Sequence, residues 1–346
     1  MRKFSKAASI IFFSVIAAAT AAPSPPTPAP PPSIPAPLIK PVVNREYLPT
    51  LLTMIGEAKK SIDFIQLEFH YDPTVKRIQD ALRQSLKRGV KVRGLLEDNI
   101  DFNQTSAKYL NRFGIEARLD TPEKMLHNKL FIVDGEKVLL GSTNLSSNSM
   151  DNNNETNIYV ENKRLGAFFE NYFRQLWKNS LEEPQDSTLE LSGLKTVINR
   201  QHFGEIFRLI QSARKKVWVL MYGMKYYDQY PDSKTNRLID SLIEARKRGL
   251  EVKVVLDKSD YNQTLNDIND QTKRHLEAGG VPVRFDPEEI TSHAKLVIAD
   301  NRAIVGSANW GYSALEKRNE SSLIISDQDT VNYFKDYFQS IWDEGK

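Results

Sequence analysis

Cysteine is absent from all 346 residues, which excludes disulfides and any lipid-modified cysteine. Histidine is scarce, at five. No apolar run is long enough to span a bilayer comfortably: the longest, Ala7 to Ala19, holds about thirteen residues against the ~20 a spanning helix needs. Charge of one sign is missing too. Lys and Arg total 47 and Asp and Glu 44, and three of the basic residues (Arg2, Lys3, Lys6) fall in the first 22, so the remainder balances at 44 to 44. A protein that tracks a polyphosphate backbone usually carries a visible basic excess. The composition therefore lends no support to extended nucleic-acid binding, although a local basic groove is compatible with it.

The N-terminus has its own grammar. Residues 1–22 combine a basic start, an apolar stretch and the small-residue site Ala19-Thr20-Ala21, the pattern of a secretory signal peptide. Export, secreted or periplasmic, is the expectation, with an uncleaved membrane anchor as the alternative. Residues 23–40 begin PSPPTPAPPPSIPAP, which forms neither helix nor paired strand because proline lacks a donor and fixes φ. That segment reads as a stiff spacer.

The rest of the chain is written twice. SLKRGVKVRGLLEDN, from Ser85, matches LIEARKRGLEVKVVLDK, from Leu242: a helix ending in basic residues, a glycine suited to a left-handed cap, then a strand. HNKLFIVDGEKVLLGSTN, from His127, matches HAKLVIADNRAIVGSAN, from His293. LGAFFENYFRQLW and VNYFKDYFQSIW follow, each with apolar residues at helical spacing that read as core. Two α/β units are expected, residues 41–180 and 196–346, joined by a polar connection over 181–195. A repeat this long suits two homologous domains facing each other across a pseudo-twofold axis better than a solenoid. The expected particle is a monomer with an internal pseudo-dimer.

Within each repeat, His and Lys stand two apart at a strand entry, so extended structure points them to one face. The hairpin turn lies midway between His127 and Asn144, and again midway between His293 and Asn309. The second copy has one residue fewer across its turn, yet His and Asn still meet at one end. Eleven residues beyond each Asn comes a glutamate, Glu155 or Glu320. Asp134 and Asp300 fall at the turns, away from that end, and are assigned a structural role. His70, His202 and His275 lie outside the repeat motif and read as structural histidines. A zinc site is the competing use of the motif histidines, weakened because each is accompanied by a lysine whose charge repels a cation and suits an anion.

The pattern H-x-K, four residues, D, six residues, G-S-x-N, complete in the first copy and one turn residue short in the second, resembles the phospholipase D superfamily in its two-motif, single-chain form. The resemblance covers residues 40 to 345. It implies a pair of α/β sandwich domains with the active site at their interface. It also implies a metal-independent phosphodiesterase with no cofactor, in which His127 attacks phosphorus and His293 protonates the leaving alcohol. Lys129, Asn144, Lys295 and Asn309 would bind the phosphate oxygens, with Ser142 and Ser307 as further donors. Glu155 and Glu320 would fix the imidazoles. Phospholipid, met at a membrane surface, is the expected substrate. Nucleic acid is the alternative, and a non-catalytic phosphate-binding paralogue the third reading, disfavoured because both motifs keep His and Lys. Tyr222, Trp310 and Tyr312 flank the expected site and could stack on bases or line an acyl-facing rim.

Overall fold

The computed structural model describes residues 36–185 and 187–346. The expected signal segment, and the spacer as far as residue 35, lie outside the described residues. In the first half, β1 (Leu38–Val43) leads through α1 (Tyr47–Gly56) to β2 (Ser61–Gln66), α2 (Pro73–Lys87), β3 (Lys91–Leu96), α3 (Asp101–Arg112) and β4 (Glu116–Leu119). The hairpin β5 (Lys129–Val133) and β6 (Lys137–Gly141), then β7 (Thr156–Glu161) and α4 (Lys163–Lys178), complete it. The sheet order is β1-β7-β6-β5-β2-β3-β4. β2, β3 and β4 run parallel, because α2 and α3 carry the chain back across the sheet; the hairpin side is antiparallel.

The second half repeats the plan. After the short β8 (Glu190–Leu191) come β9 (Leu194–Ile198), α5 (Gln201–Ser212), β10 (Lys216–Met221), α6 (Lys234–Lys247), β11 (Glu251–Leu256), α7 (Gln263–Ala278) and β12 (Val283–Phe285). Then follow the hairpin β13 (Lys295–Ala299) and β14 (Arg302–Gly306), α8 (Tyr312–Glu316), β15 (Ser321–Ile325) and α9 (Gln328–Glu344). Its sheet order is β12-β11-β10-β13-β14-β15-β9-β8.

Two expected boundaries move. Leu38 to Lys40, placed in the spacer, belong to β1 and pair with Glu161 to Tyr159 of β7. The expected connection 181–195 already contains β8 and the start of β9, which pairs with β15. β1 and β9 pair with strands more than a hundred residues away in sequence, and β8 adds only two residues at the sheet edge, so local composition does not disclose them.

Each hairpin strand is buried on both faces, which explains its nearly unbroken apolar run. Leu130 and Ile132 point one way, into a core shared with Leu296 and Ile298 of the other half and closed by α4 and α9. Phe131 and Val133 point the other way, against α1 and α2, and Val297 and Ala299 do the same against α5 and α6. The two sheets thus stack on a single common core, and residues 36–346 form one compact unit. Among the described residues no helix is long and apolar enough to cross a membrane.

Two local details follow from the doubling. Gly89 and Gly249 end α2 and α6 at φ of +87° and +88°, the left-handed cap expected of them. Gly166 of α4 packs on the longer hairpin turn so closely that a Cβ would lie 2.0 Å from the Gly135 carbonyl oxygen. The second copy, one turn residue shorter, has Val331 at the equivalent place. The shortened turn leaves room for a side chain that the first copy cannot hold.

Candidate active site

His127 and His293 stand just before β5 and β13; Asn144 and Asn309 just after β6 and β14; Glu155 and Glu320 just before β7 and β15. Neighbouring strands of one sheet therefore deliver all three residue types to the same end. The two ends are then stitched across the pseudo-twofold. Leu126 pairs with Asn319, and Asn154 with Ser292, as single parallel bridges. The His127 amide donates to the Asn319 carbonyl (2.9 Å), and the Asn154 amide to the Thr291 carbonyl (2.8 Å).

This stitching swaps the glutamates. His127 Nδ1 lies 3.0 Å from Glu320 Oε2, and His293 Nδ1 lies 3.1 Å from both carboxylate oxygens of Glu155. Each histidine is held by the other half's carboxylate, which fixes Nδ1–H as donor and leaves Nε2 free for proton transfer or attack. Ser142 and Ser307 require a correction. Their single hydroxyl hydrogens go to Glu155 Oε2 (2.5 Å) and Glu320 Oε2, not toward a phosphate, and both residues are wholly buried. They hold the glutamates in place.

Lys129 and Lys295 are buried. Lys129 Nζ donates to the His127 carbonyl at 2.8 Å, and Lys295 Nζ makes the equivalent bond to His293. An ammonium has three donors, so two remain on each for a ligand. Burial pushes Lys129 down to about 8, with Glu320 and Glu68 partly opposing, and drives Lys295 well below its ordinary value. A dianionic or monoanionic phosphate placed beside them would relieve that penalty. Asn144 and Asn309 carry buried amide oxygens with no partner among the described residues. Asp134 and Asp300, both at left-handed φ, accept from the backbone amides of residues 59–61 and 214–216, at the entries to β2 and β10. They anchor the hairpin turns far from the histidines.

Several supporting residues escaped the sequence reading. Asn44 and Asn199, both at left-handed φ, accept through Oδ1 from the amides of Glu155 and Glu320 (2.8 and 3.0 Å). Tyr337 and Tyr172 donate to those same oxygens, again from the opposite half. The signal was present, since VVNRE at Val42 and VINRQ at Val197 are one more repeated phrase. His202 sits beneath this network, its ring nitrogens bonded to the Asn199 carbonyl and Ser322 Oγ (2.8 Å each). His275 pairs with Asp240 on the surface. Asn103 and Asn269 perform another doubled task, each bonding three backbone groups at the exits of the central strands.

Behind each histidine lies a pair of buried acids. Glu97 accepts from the Leu126 amide, and Asp257 and Asp286 both accept from the Ser292 amide (2.7 and 2.8 Å). Burial and the neighbouring Glu97 push Asp120 up to about 8; burial and mutual repulsion raise Asp257, and burial raises Asp286. Such carboxyls keep protons in the folded state that the unfolded chain releases above about 4. Their contribution to stability is therefore complete at low pH and is lost as pH rises toward 8. Asp257→Asn, neutral and nearly isosteric, is expected to flatten the fall in melting temperature between pH 5 and 8.5. Parallel melting curves for variant and parent across that range would refute the assignment.

A cleft of about 410 Å³ opens over His293 and Asn144. Its lining includes Glu68, His70 and Asp72 from the first half and Tyr222 and Tyr261 from the second. His70, expected to be structural, thus faces the cleft, 2.9 Å from Glu68 and against the Phe102 ring. Tyr222 packs edge-on to His293 (4.6 Å). Trp310 is fully buried in the second half's core, whereas Tyr312 lies half-exposed beside Tyr227 and Tyr230, around a separate surface hollow.

Two hairpins each present a carboxylate-held imidazole and a buried lysine, a donor set suited to an anionic ligand such as a phosphate group. The family model for the PLD-like domain of cardiolipin synthase matches residues 51–177 and again 206–342, one match per half. The chain belongs to this phospholipase D-like family. It is 33% identical over 99 residues to a mitochondrial cardiolipin hydrolase of Homo sapiens, covering 28% of this chain and 37% of that protein. It is 32% identical over 126 residues to a phospholipase D of Rickettsia prowazekii, covering 36% and 59%. The chain thus matches less than two thirds of either relative's length. In fold it is similar to phosphatidylserine synthase from Haemophilus influenzae (TM-score 0.69, 14% identity, 89% of this chain and 87% of that one).

Proposed function

We propose that the protein is a metal-independent phosphodiesterase of the phospholipase D type, working through a phosphohistidine. His127 Nε2 attacks phosphorus, the bond from phosphorus to the leaving oxygen breaks, and His293 supplies that oxygen's proton. Water then attacks the phosphohistidine; His293 takes its proton, and the electron pair of the P–N bond returns to His127. Lys129, Lys295, Asn144 and Asn309 donate to the non-bridging oxygens as charge concentrates there. The two histidines differ in a way that supports these roles. Burial together with the charges of Lys129 and Arg318 drives His127 well below its ordinary range, so it stays neutral and nucleophilic. His293 is lowered mainly by burial, and Glu155 opposes that shift, leaving it the readier of the two to carry a proton.

The observation that favours phospholipid over nucleic acid is the polarity of the cleft, whose His293 side carries the carboxylates Glu68 and Asp72. A nucleic acid continues as phosphate on both sides of the bond cut and would be repelled there. A phospholipid ends in a headgroup. An exported chain, as residues 1–22 suggest, would meet such lipids at a membrane surface. The test is a side-by-side assay, without added metal, on phosphatidylcholine vesicles and single-stranded DNA at several salt concentrations. Headgroup release with little DNA cleavage is expected; salt-sensitive DNA cleavage without choline release would reverse the reading.

A further inference from the structure

The apolar side chains left at the surface are not spread evenly. Among the described residues ten large ones are exposed, and six of these, Tyr71, Phe102, Tyr230, Tyr261, Ile290 and Tyr312, fall in the connections at the end of the sheets where the histidines stand. Tyr71, Tyr230 and Tyr261 are the most open, at 65, 64 and 63%. Each lies past the C-terminal end of a parallel strand, β2, β10 or β11, at the edge to which β5 and β13 also bring His127 and His293. One of these connections is longer than the fold requires: β2 reaches α2 in six residues, 67–72, whereas β10 reaches α6 in twelve, 222–233. The added length carries Tyr230 and Pro231, which with Tyr227 and Tyr312 border a hollow of about 720 Å³.

The charge beside these side chains is mostly of one sign. Asp72 follows Tyr71, Asp101 precedes Phe102, Asp260 precedes Tyr261, Glu289 precedes Ile290, and Asp228 and Asp232 stand either side of Tyr230. Lys317, over the Tyr312 ring at 5.2 Å, is the only exposed cation in the same connections; Lys225, Lys258 and Arg318 are partly buried. A strand of nucleic acid stacked on the rings would need cations beside them, and a second copy of the chain would bring its own carboxylates against these. Tyrosine, apolar along its ring and polar at its hydroxyl, partitions into the headgroup layer of a bilayer. There the ammonium groups of a zwitterionic lipid would meet the neighbouring carboxylates, which an anionic bilayer would repel. We propose that this end of the molecule docks on a zwitterionic phospholipid bilayer, with Tyr71 and Tyr230 entering the headgroup layer on either side of the active site. This concerns where the protein sits, and goes beyond the phospholipase reading of what it cleaves.

The chain has no cysteine, so a single one can be introduced and labelled with an environment-sensitive fluorophore. A label on Tyr230→Cys is expected to shift to the blue and brighten when the full chain meets phosphatidylcholine vesicles. A label on Lys247→Cys, exposed at the far end of α6, should stay unchanged. Mixing phosphatidylglycerol into the vesicles should weaken the binding, and added salt should restore part of it. Tyr71→Ser combined with Tyr230→Ser should lower hydrolysis of vesicle phosphatidylcholine by about tenfold, with hydrolysis of monomeric dihexanoyl phosphatidylcholine unchanged. A label at residue 230 that stays unshifted, whether or not the protein sediments with the vesicles, would overturn the proposal. So would tighter binding to the anionic vesicles, equal loss on both substrates in the double variant, or a shift produced by single-stranded DNA in place of vesicles. The label reads contact without turnover, so docking with neither lipid cleaved would overturn the phospholipase reading alone.

Discussion

His127→Ala and His293→Ala are each expected to reduce steady-state turnover by about 10⁴-fold or more, the scale on which members of a concerted catalytic set fail. The two variants should fail differently. Without His127 there is no nucleophile, so no phosphoprotein forms on any substrate. Without His293 the leaving oxygen lacks its proton donor, but p-nitrophenolate leaves without one. His293→Ala should therefore release about one equivalent of p-nitrophenol from bis(p-nitrophenyl) phosphate in a burst, and stop with an acid-labile phosphohistidine on His127. A burst from His127→Ala in place of His293→Ala would exchange the roles. Both variants should still fold, with a loss of about 1–3 kcal/mol for the buried carboxylate that each leaves without its imidazole donor, read by chemical denaturation. EDTA should have no effect; activity lost to it and restored by zinc would refute the metal-free chemistry.

Glu320→Gln and Glu155→Gln should follow closely, with turnover lowered by roughly 10³- to 10⁴-fold, as when the orienting carboxylate of a triad becomes an amide. The amide can present its nitrogen to Nδ1 and favour the wrong tautomer. Because the pairs are crossed, the kinetic signatures should be crossed as well. Glu320→Gln acts on His127 and should slow the burst; Glu155→Gln acts on His293 and should slow the breakdown of the phosphohistidine. Equal effects on both phases from both variants would argue that the glutamates only hold the halves together. Some loss of stability is expected in either case, about 1–3 kcal/mol for each buried acceptor weakened, read by chemical denaturation.

Much of this site was legible because it was written twice. His127 with His293, and Glu155 with Glu320, stand at matching places in matching phrases, and the period-two and helical patterns around them were enough to expect two α/β units. What could not be read was the partner of each glutamate. Spacing along one repeat suggests that His and Glu of one half belong together, whereas the parallel bridges Leu126–Asn319 and Asn154–Ser292 exchange them. The serines were misassigned for the same reason, since Ser142 looks available to a phosphate until the position of Glu155 is known. Glu68 was passed over, and His70 read as structural, because neither has a like counterpart in the second copy, and repetition was the guide. The starts of β1 and β9 were missed because pairing with a distant strand leaves little local trace.

The swapped carboxylates, with Tyr172 and Tyr337 reaching across beside them, also bear on dilution. Were the halves separate subunits, a competent site would exist only above the dissociation constant for their encounter. Joined by the short stretch between α4 and β8 and sealed by one common core, they meet at a fixed effective concentration set by the tether. Scarcity of the protein then lowers the number of active sites in proportion, and never the fraction of chains that possess one.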